Sequence, residues 1–458
     1  MAESKTNKGK WIWGCLDRIK GDKVIWIILT MLIMFSIVAI FDSTTLLANM
    51  QHTTRLAIFR EQIIIVIIGL GLVFGCNAID KIGFFMFLSQ FGFIVSAAML
   101  LMLLTHVCAV QVNNEWRALK IFGFQLQVYE FVKIGMIFYL SWATDAYSQD
   151  RFWIANKLSG RFKSLAFLRK PFVKRIIYIH APILFVTGAV AAGSGSSALF
   201  ILSLMIVTIL IGGLPIKDIL LAVAAAIIMI GASYGLYKTS GGVLVDRWET
   251  WENRIHRFFH PKDPSEIKSG TAEWREYVDK NSQQIGALIA VKEGGIGGKG
   301  PGRSTQKYIV PLLFSDFMFS FIVEEYGLWG AALLIILYLS LLARGSIIVK
   351  SCDSLYTKTV VAGLTLAISG QAMMHIFINA DGPLTGQTLP MISHGNSSFL
   401  AFSIAFGVLL SISKMVKSKM EKVENMADPI IDHSDDELRS TLDDLDRLES
   451  LDDGEFME

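Results

Sequence analysis

The sequence predicts an all-α polytopic membrane protein of about ten transmembrane helices, and three observations carry that reading. Of 458 residues, 53% are hydrophobic and only 18% charged. The mean hydropathy is +0.49. Apolar runs long enough to cross ~30 Å of hydrocarbon recur along the chain, a pattern that soluble domains do not show. The runs lie at 24–42, 62–79, 83–105, 128–147, 176–193, 197–213, 217–237, 317–343, 358–378 and 397–414. Gly212, Gly213 and Pro215 leave open whether the sixth and seventh runs form one re-entrant unit. An even count puts both termini on the same side.

The first run follows a basic segment and lacks a small-residue cleavage site, so it reads as a retained helix. Lys5, Lys8, Lys10, Arg18, Lys20 and Lys23 precede it, and the link between the fourth and fifth runs carries Arg151, Lys157, Arg161, Lys163, Arg169, Lys170, Lys174 and Arg175. The positive-inside rule makes both cytoplasmic. The links at 193–196 and 379–396 hold no Lys or Arg, as an exported face requires. Three parts follow: a cytoplasmic N-terminus (1–23), a membrane domain (24–414) with a large extracytoplasmic loop at about 238–316, and an acidic tail (415–458).

The loop opens with DRWETWENRIHRFFHPKDP, which suits either the headgroup level or an ordinary surface helix. The tail is acidic and poor in aromatics, so it reads as disorder or a helix that forms on a partner. Cys15, Cys76, Cys108 and Cys352 are scattered, which supports neither a disulfide framework nor a zinc site. No tightly held metal is expected, because no cluster of Cys, His and carboxylates has ligand spacing. No nucleic-acid partner is expected either.

The segment 294–325, GGIGGKGPGRSTQKYIVPLLFSDFMFSFIVEE, sets a glycine-rich polar loop against an acidic apolar stretch. Asp316 is followed by Phe317, Met318 and Phe319, and a carboxylate in such surroundings costs several kcal/mol unless it meets water, a cation or a cavity. If the stretch is helical, Asp316, Ser320 and Glu324 share one face, with Glu325 beside them. The glycines let backbone amides approach an anion, with Lys299, Arg303 and Lys307 on the same loop. The alternative is a glycine-rich hinge with incidental charges. The GKT or GKS ending of a Walker loop is absent.

Gly298, Gly300, Ser304, Gln306, Lys307, Pro311, Ser315-Asp316-Phe317 and Glu324-Glu325-Tyr326-Gly327 resemble the GxGxxxSxQKxxLPExxTDFxFxxxxEExG signature of the SEDS family, which includes FtsW, RodA and SpoVE. A second block, Gln371, Leu384-Thr385-Gly386, Leu389-Pro390 and Ile392 to Ser398, resembles its QAxxN...PxTGxxLPxxSxGGSS motif. A weaker match, Gln127, Glu130 and Lys133, is similar to QPSExxK, and Arg117 matches the Arg of an RW pair. By periodicity alone, Glu130 and Lys133 at i, i+3 also suit a structural ion pair.

The resemblance implies a ten-span fold and a peptidoglycan glycosyltransferase that polymerises lipid II outside the cytoplasmic membrane, alongside a class B penicillin-binding protein and other divisome proteins. It implies Asp316 as the catalytic carboxylate. Lys299, Arg303, Ser304, Gln306, Lys307, Glu324, Glu130, Lys133, Arg117, Ser393 and Ser397 become candidate substrate contacts, with a transient divalent cation (Mg or Mn) as an optional aid. Leu312 stands where the family has Glu, His375 where Asn is common, and His394 with Asn396 where an aromatic residue and Gly are usual. Leu312 in place of that Glu leaves open slower chemistry, a shift of it to Glu324, reliance on the partner for activity, or a mainly scaffolding role. The opening KGDKVIWIILTMLIMFSIVAIFDSTTLL resembles division-type members from Bacteroidota, which favours septal synthesis over elongation. A lipid II flippase and a non-catalytic divisome scaffold remain the other classes.

Overall fold

All ten apolar runs form helices. The computed structural model describes residues 21–112, 115–121, 124–239, 270–382 and 385–419. The spans are α1 (Lys23–Ser43), α3 (Arg55–Asn77), α4 (Ile82–Leu104), α5 (Val128–Ser148), α7 (Pro171–Ala191), α8 (Gly195–Ile211), α9 (Ile216–Thr239), α11 (Met318–Ser351), α12 (Leu355–Asn379) and α13 (Asn396–Lys419). Short helices α2 (Thr45–Met50) and α6 (Trp153–Arg161) sit in links, and α10 (Ala272–Gly294) stands in the large loop. The first 20 residues, the aromatic piece DRWETWENRIHRFFHPKDP and the acidic tail beyond Lys419 lie outside the described residues, while 415–419, expected to belong to the tail, continue α13.

Eight of the ten spans are long and apolar enough to cross a membrane by length and composition alone. The other two depart for different reasons. Helix α8 is 17 residues long. Helix α5 carries Glu130, Lys133 and Asp145, yet nearly all its residues are buried by neighbouring helices, so its charges face protein and not lipid. Two hydrophobic clusters surround it. One joins α1, α11, α12 and α13 through residues such as Leu29, Tyr338, Leu364 and Phe402. The other joins α4, α5, α7 and α8 through Leu100, Met136, Ile183 and Ile201.

Helix starts follow local chemistry. Asp22 caps α1 by accepting from the Val24 and Ile25 amides at 2.9 and 3.2 Å, and it also holds Arg344 at 2.6 Å. Pro171 opens α7, which passes through one π-helical turn at Ile176–His180. An antiparallel three-stranded sheet, β1 (Ala109–Val112), β2 (Glu115–Ile121) and β3 (Phe124–Gln127), joins α4 to α5. It adds strands to a fold expected to be helical throughout.

The expected alignment of Asp316, Ser320 and Glu324 on one helix face is not realised. Helix α11 begins at Met318, so Asp316 lies in the preceding turn, where its amide bonds the Leu312 carbonyl at 3.0 Å. The helix is then interrupted at Gly327 (φ 66°, ψ −165°), and the glycine-rich loop enters the break. The Lys299 and Gly300 amides bond the freed carbonyls of Glu324 and Glu325 at 2.8 and 2.9 Å, and the Leu328 amide reaches the Gly295 carbonyl at 3.0 Å. Two backbones approach so closely here that a Cβ on Gly327 would lie 2.2 Å from the Ile296 carbonyl oxygen.

Gly327→Ala is therefore expected to suffer both a left-handed backbone and a steric clash, and to lower the melting temperature in detergent markedly. A melting curve matching wild type would show that the two backbones separate at no cost.

Candidate active site

The turn at 312–317 is held from three sides. The His394 amide bonds the Phe314 carbonyl at 3.0 Å, Ser393 Oγ donates to the Ser315 carbonyl at 2.7 Å, and Asn379 Nδ2 donates to the Asp316 carbonyl at 3.2 Å. Backbone capture of this kind fixes where the Asp316 carboxylate points. It opens on a cavity of about 390 Å³, shared with Arg117, Glu130, Lys133, Ser397, Gln51, Gln125, Gln127, Gln387, His394 and Asn396 among its lining. Gly386 (φ 64°) sits between the two charged groups: a Cβ there would lie 3.1 Å from Arg117 Nη1 and 3.7 Å from Asp316 Oδ2.

Burial pushes the Asp316 carboxyl above the usual range, while the Ser315 hydroxyl at 3.1 Å and the Arg117 charge pull it down. The net direction is upward. Leu312 contributes an apolar wall on the same cavity.

Lys133 is buried among three acceptors. Its ammonium donates to Glu130 Oε1 at 2.9 Å, to Gln371 Oε1, and to Gln387 Oε1 at 3.4 Å, and it lies 5.5 and 5.8 Å from the Phe200 and Phe402 ring centres. Both amides are themselves anchored. Gln371 donates to the Thr388 carbonyl at 3.0 Å and Gln387 to Ser197 Oγ at 3.1 Å. Below them, His375 Nδ1 lies 2.7 Å from the Gln387 carbonyl and Nε2 accepts from the Phe319 amide at 3.3 Å. A carbonyl only accepts and an N–H only donates, so His375 is the neutral Nδ1–H tautomer. The histidine that replaces the common Asn thus ties α11 to the segment after α12.

The sequence-predicted candidates divide into two groups. Asp316, Arg117, Glu130, Lys133 and Ser397 line the one cavity. Ser397 also positions it, donating to the Gln125 carbonyl at 3.0 Å and accepting from the Gln127 amide at 2.9 Å. Ser393 acts one step back, through Ser315.

Lys299, Arg303, Ser304, Gln306, Lys307 and Glu324 do not line this cavity. Most of them enclose the carboxylates of α11. Glu324, with no side-chain exposure, accepts from Lys299 Nζ at 2.7 Å, Ser304 Oγ at 2.5 Å and the Thr305 amide at 2.8 Å. Glu325 accepts from the Gly302 and Ser304 amides at 3.2 and 3.3 Å. Lys307 reaches Asp42 at 2.7 Å and the Gly302 carbonyl at 2.8 Å. Gln306 is buried in a short 3₁₀ turn and Arg303 is exposed. The glycine-rich loop does gather amides and cations around an anion, and that anion is the protein's own Glu324. Glu324 is thereby engaged by the glycine-rich loop and does not line the cavity that Asp316 faces.

Among the described residues, no three of His, Cys, Asp and Glu gather as a metal cage. The residues that sequence reasoning passed over are Gln51, Gln125 and Gln387. For Gln125 a signal existed in the alternating 115–127 stretch with its Phe-Gly turn pair, which is how a hairpin reads.

Bundle and cavity together define a multi-pass membrane protein with an internal charged site that opens between its helices. Residues 22–418 match the family profile described as "Cell cycle protein", FtsW/RodA/SpoVE, and the chain belongs to that family. It is 26% identical to stage V sporulation protein E of Bacillus subtilis (strain 168) over 86% of this chain and 97% of that one. It is 28% identical to a probable peptidoglycan glycosyltransferase FtsW of Enterococcus hirae over 89% of this chain and 96% of that one. The fold is similar to the Thermus thermophilus rod shape determining protein RodA, with TM-score 0.55 and 18% identity over 87% of this chain and 98% of that one. It is likewise similar to a chain from a study of how a peptidoglycan synthase complex coordinates polymerisation and crosslinking, with TM-score 0.58 and 20% identity over 86% and 98%.

Proposed function

We propose that this chain is a peptidoglycan glycosyltransferase that polymerises lipid II for septal synthesis, working beside a class B penicillin-binding protein. The observation that carries the reading is the meeting of Asp316, Arg117, Glu130 and Lys133, drawn from three separate parts of the sequence, around one cavity. The names of the relatives, peptidoglycan glycosyltransferase among them, support the same activity. The neighbouring synthase complex supports a crosslinking partner.

In this reading Asp316 accepts the proton of the acceptor sugar's 4-hydroxyl. The oxygen then attacks the anomeric carbon of the donor, and the undecaprenyl diphosphate leaves with the bonding pair. Arg117 and Lys133 offset the negative charge that develops on the leaving group. The carboxamides of Gln51, Gln125, Gln127 and Asn396 suit sugar hydroxyl and acetamido groups.

Purified protein with its cognate transpeptidase, given labelled lipid II, tests the proposal. Glycan ladders are expected; redistribution of lipid between leaflets without ladders would make the chain a flippase, and neither result would make it a scaffold.

Orientation is part of the proposal, with both termini cytoplasmic and the cavity open to the opposite face. In a background with Cys108 replaced by Ser, Ser282→Cys on the exposed side of α10 should react with an impermeant maleimide in intact spheroplasts, and Ser434→Cys only after lysis. Labelling at 434 without lysis would reverse the topology.

A further inference from the structure

The link between α5 and α7, residues 151–175, holds eight Lys and Arg and no Asp or Glu. Three of these cations are committed to the bundle: Arg151 pairs with Asp145, Lys174 with Asp150 at 2.5 Å, and Arg175 with Asp218 at 2.5 Å. Lys157, Arg161, Lys163, Arg169 and Lys170 are exposed.

Helix α6 sits in this link with two unlike faces. Phe152, just before it, and Ala155 and Ser159 turn inward, and Phe152 stacks on Tyr178 of α7 at 4.2 Å. The outward side presents Trp153 (68% exposed), Ile154 (57%) and Leu158 with Lys157 and Arg161 between them. Phe162, Phe167 and Phe172 continue the exposed apolar series beyond the helix. Lys157 Nζ lies 4.3 Å from the Trp153 ring centre, so cation and indole occupy the same patch.

In water such a surface would leave six large apolar side chains unburied. At a headgroup layer both halves are satisfied, because aromatic and aliphatic groups enter the acyl boundary while lysine and arginine stems carry their charges out to phosphate. The link is tethered at both ends to membrane-spanning helices, which holds it at that level.

We infer that residues 151–172 form an in-plane surface that binds anionic phospholipid headgroups. Residues 151–172 hold no carboxylate, and the exposed Asp150 beside them is already paired with Lys174, so a choline or ethanolamine group finds few partners there and zwitterionic lipid is not the preferred ligand. The apolar half, continuous with the ends of α5 and α7, favours a lipid leaflet over an acidic protein segment.

The full chain carrying a benzophenone on Ile154→Cys, with Cys15, Cys76 and Cys108 replaced by Ser, is reconstituted in vesicles of equal phosphatidylglycerol and phosphatidylcholine and illuminated. Mass spectrometry of the adducts is expected to show phosphatidylglycerol well above phosphatidylcholine. Each cation near an anionic surface contributes about fivefold. Adding Lys157→Gln, Arg161→Gln, Lys163→Gln and Lys170→Gln should therefore bring the two lipids to near parity, with the melting temperature unchanged because these side chains are exposed. Equal adducts in the starting protein, a preference untouched by the four substitutions, or adducts to the chain's own acidic residues 427–458 would each overturn the inference. Lipid contact is read directly, so the result is independent of whether glycan ladders form.

Discussion

Asp316→Asn should abolish glycan ladder formation, lowering turnover roughly 10²-fold or more while the protein accumulates and melts as wild type does. The substitution keeps the volume of the side chain, and the contacts that fix the turn are made to the backbone carbonyls of Phe314, Ser315 and Asp316, which are unchanged. Only the proton acceptor is removed, and positioned general bases contribute about 10²- to 10⁴-fold. A pH profile separates this from a change in folding. Burial raises the Asp316 carboxyl, and the working form is the deprotonated one. The wild-type rate should fall on acidification at a higher pH than an ordinary aspartate would give, and that limb should vanish from any residual activity of the Asn variant. Wild-type rates from Asp316→Asn at equal protein levels would remove Asp316 from the chemistry. Attention would then move to Glu324, although Lys299, Ser304 and Thr305 already engage that carboxylate.

Lys133→Met should destabilise the protein by about 3–5 kcal/mol, the cost of leaving one member of a buried ion pair without the other. Here that member is Glu130, whose Oε1 loses its 2.9 Å partner and whose Oε2 is already buried without one. Gln371 and Gln387 lose an ammonium at the same time. Adding Glu130→Gln removes the stranded charge, and the double variant should recover most of the loss, seen as a melting temperature moving back toward wild type. The double variant then isolates the second role of Lys133. If the ammonium also meets the diphosphate, the rescued protein will bind labelled lipid II more weakly than wild type. Full binding by a rescued protein would leave Lys133 a structural residue and Arg117 the remaining charge beside Asp316. A stable single variant with unaltered binding would refute both roles.

The helices were legible because a membrane imposes a one-dimensional rule. A run of roughly 20 apolar residues announces itself without reference to any partner. Helix α5 shows where that rule weakens: its three charges fall below a composition test, although its motif-like Glu130 and Lys133 marked it for the site. Asp316 was legible for a related reason, since a carboxylate among phenylalanines demands an explanation wherever it sits. The sheet at 109–127 was legible only in part, since the alternation at 115–127 marks a hairpin but β1 and β3 have only four residues each.

The sequence by itself determined the class of protein, the positions of the spans, the acid at the centre of the site and the family that fits them. Tertiary structure alone decided which charges belong together. Lys299, Lys307 and Glu324 lie nearer to Asp316 in the chain than Arg117, Glu130 or Lys133 do, yet they fold away from its cavity. The reason is the break at Gly327, which frees carbonyls and turns Glu324 and Glu325 toward the glycine-rich loop, so that its amides and cations are used up locally. Arg117 and Lys133, almost 200 residues earlier, reach Asp316 only because β2 and α5 pack beside the turn that carries it. Spacing along a chain sets which groups can meet within one helix, and only packing between helices sets which groups share a cavity.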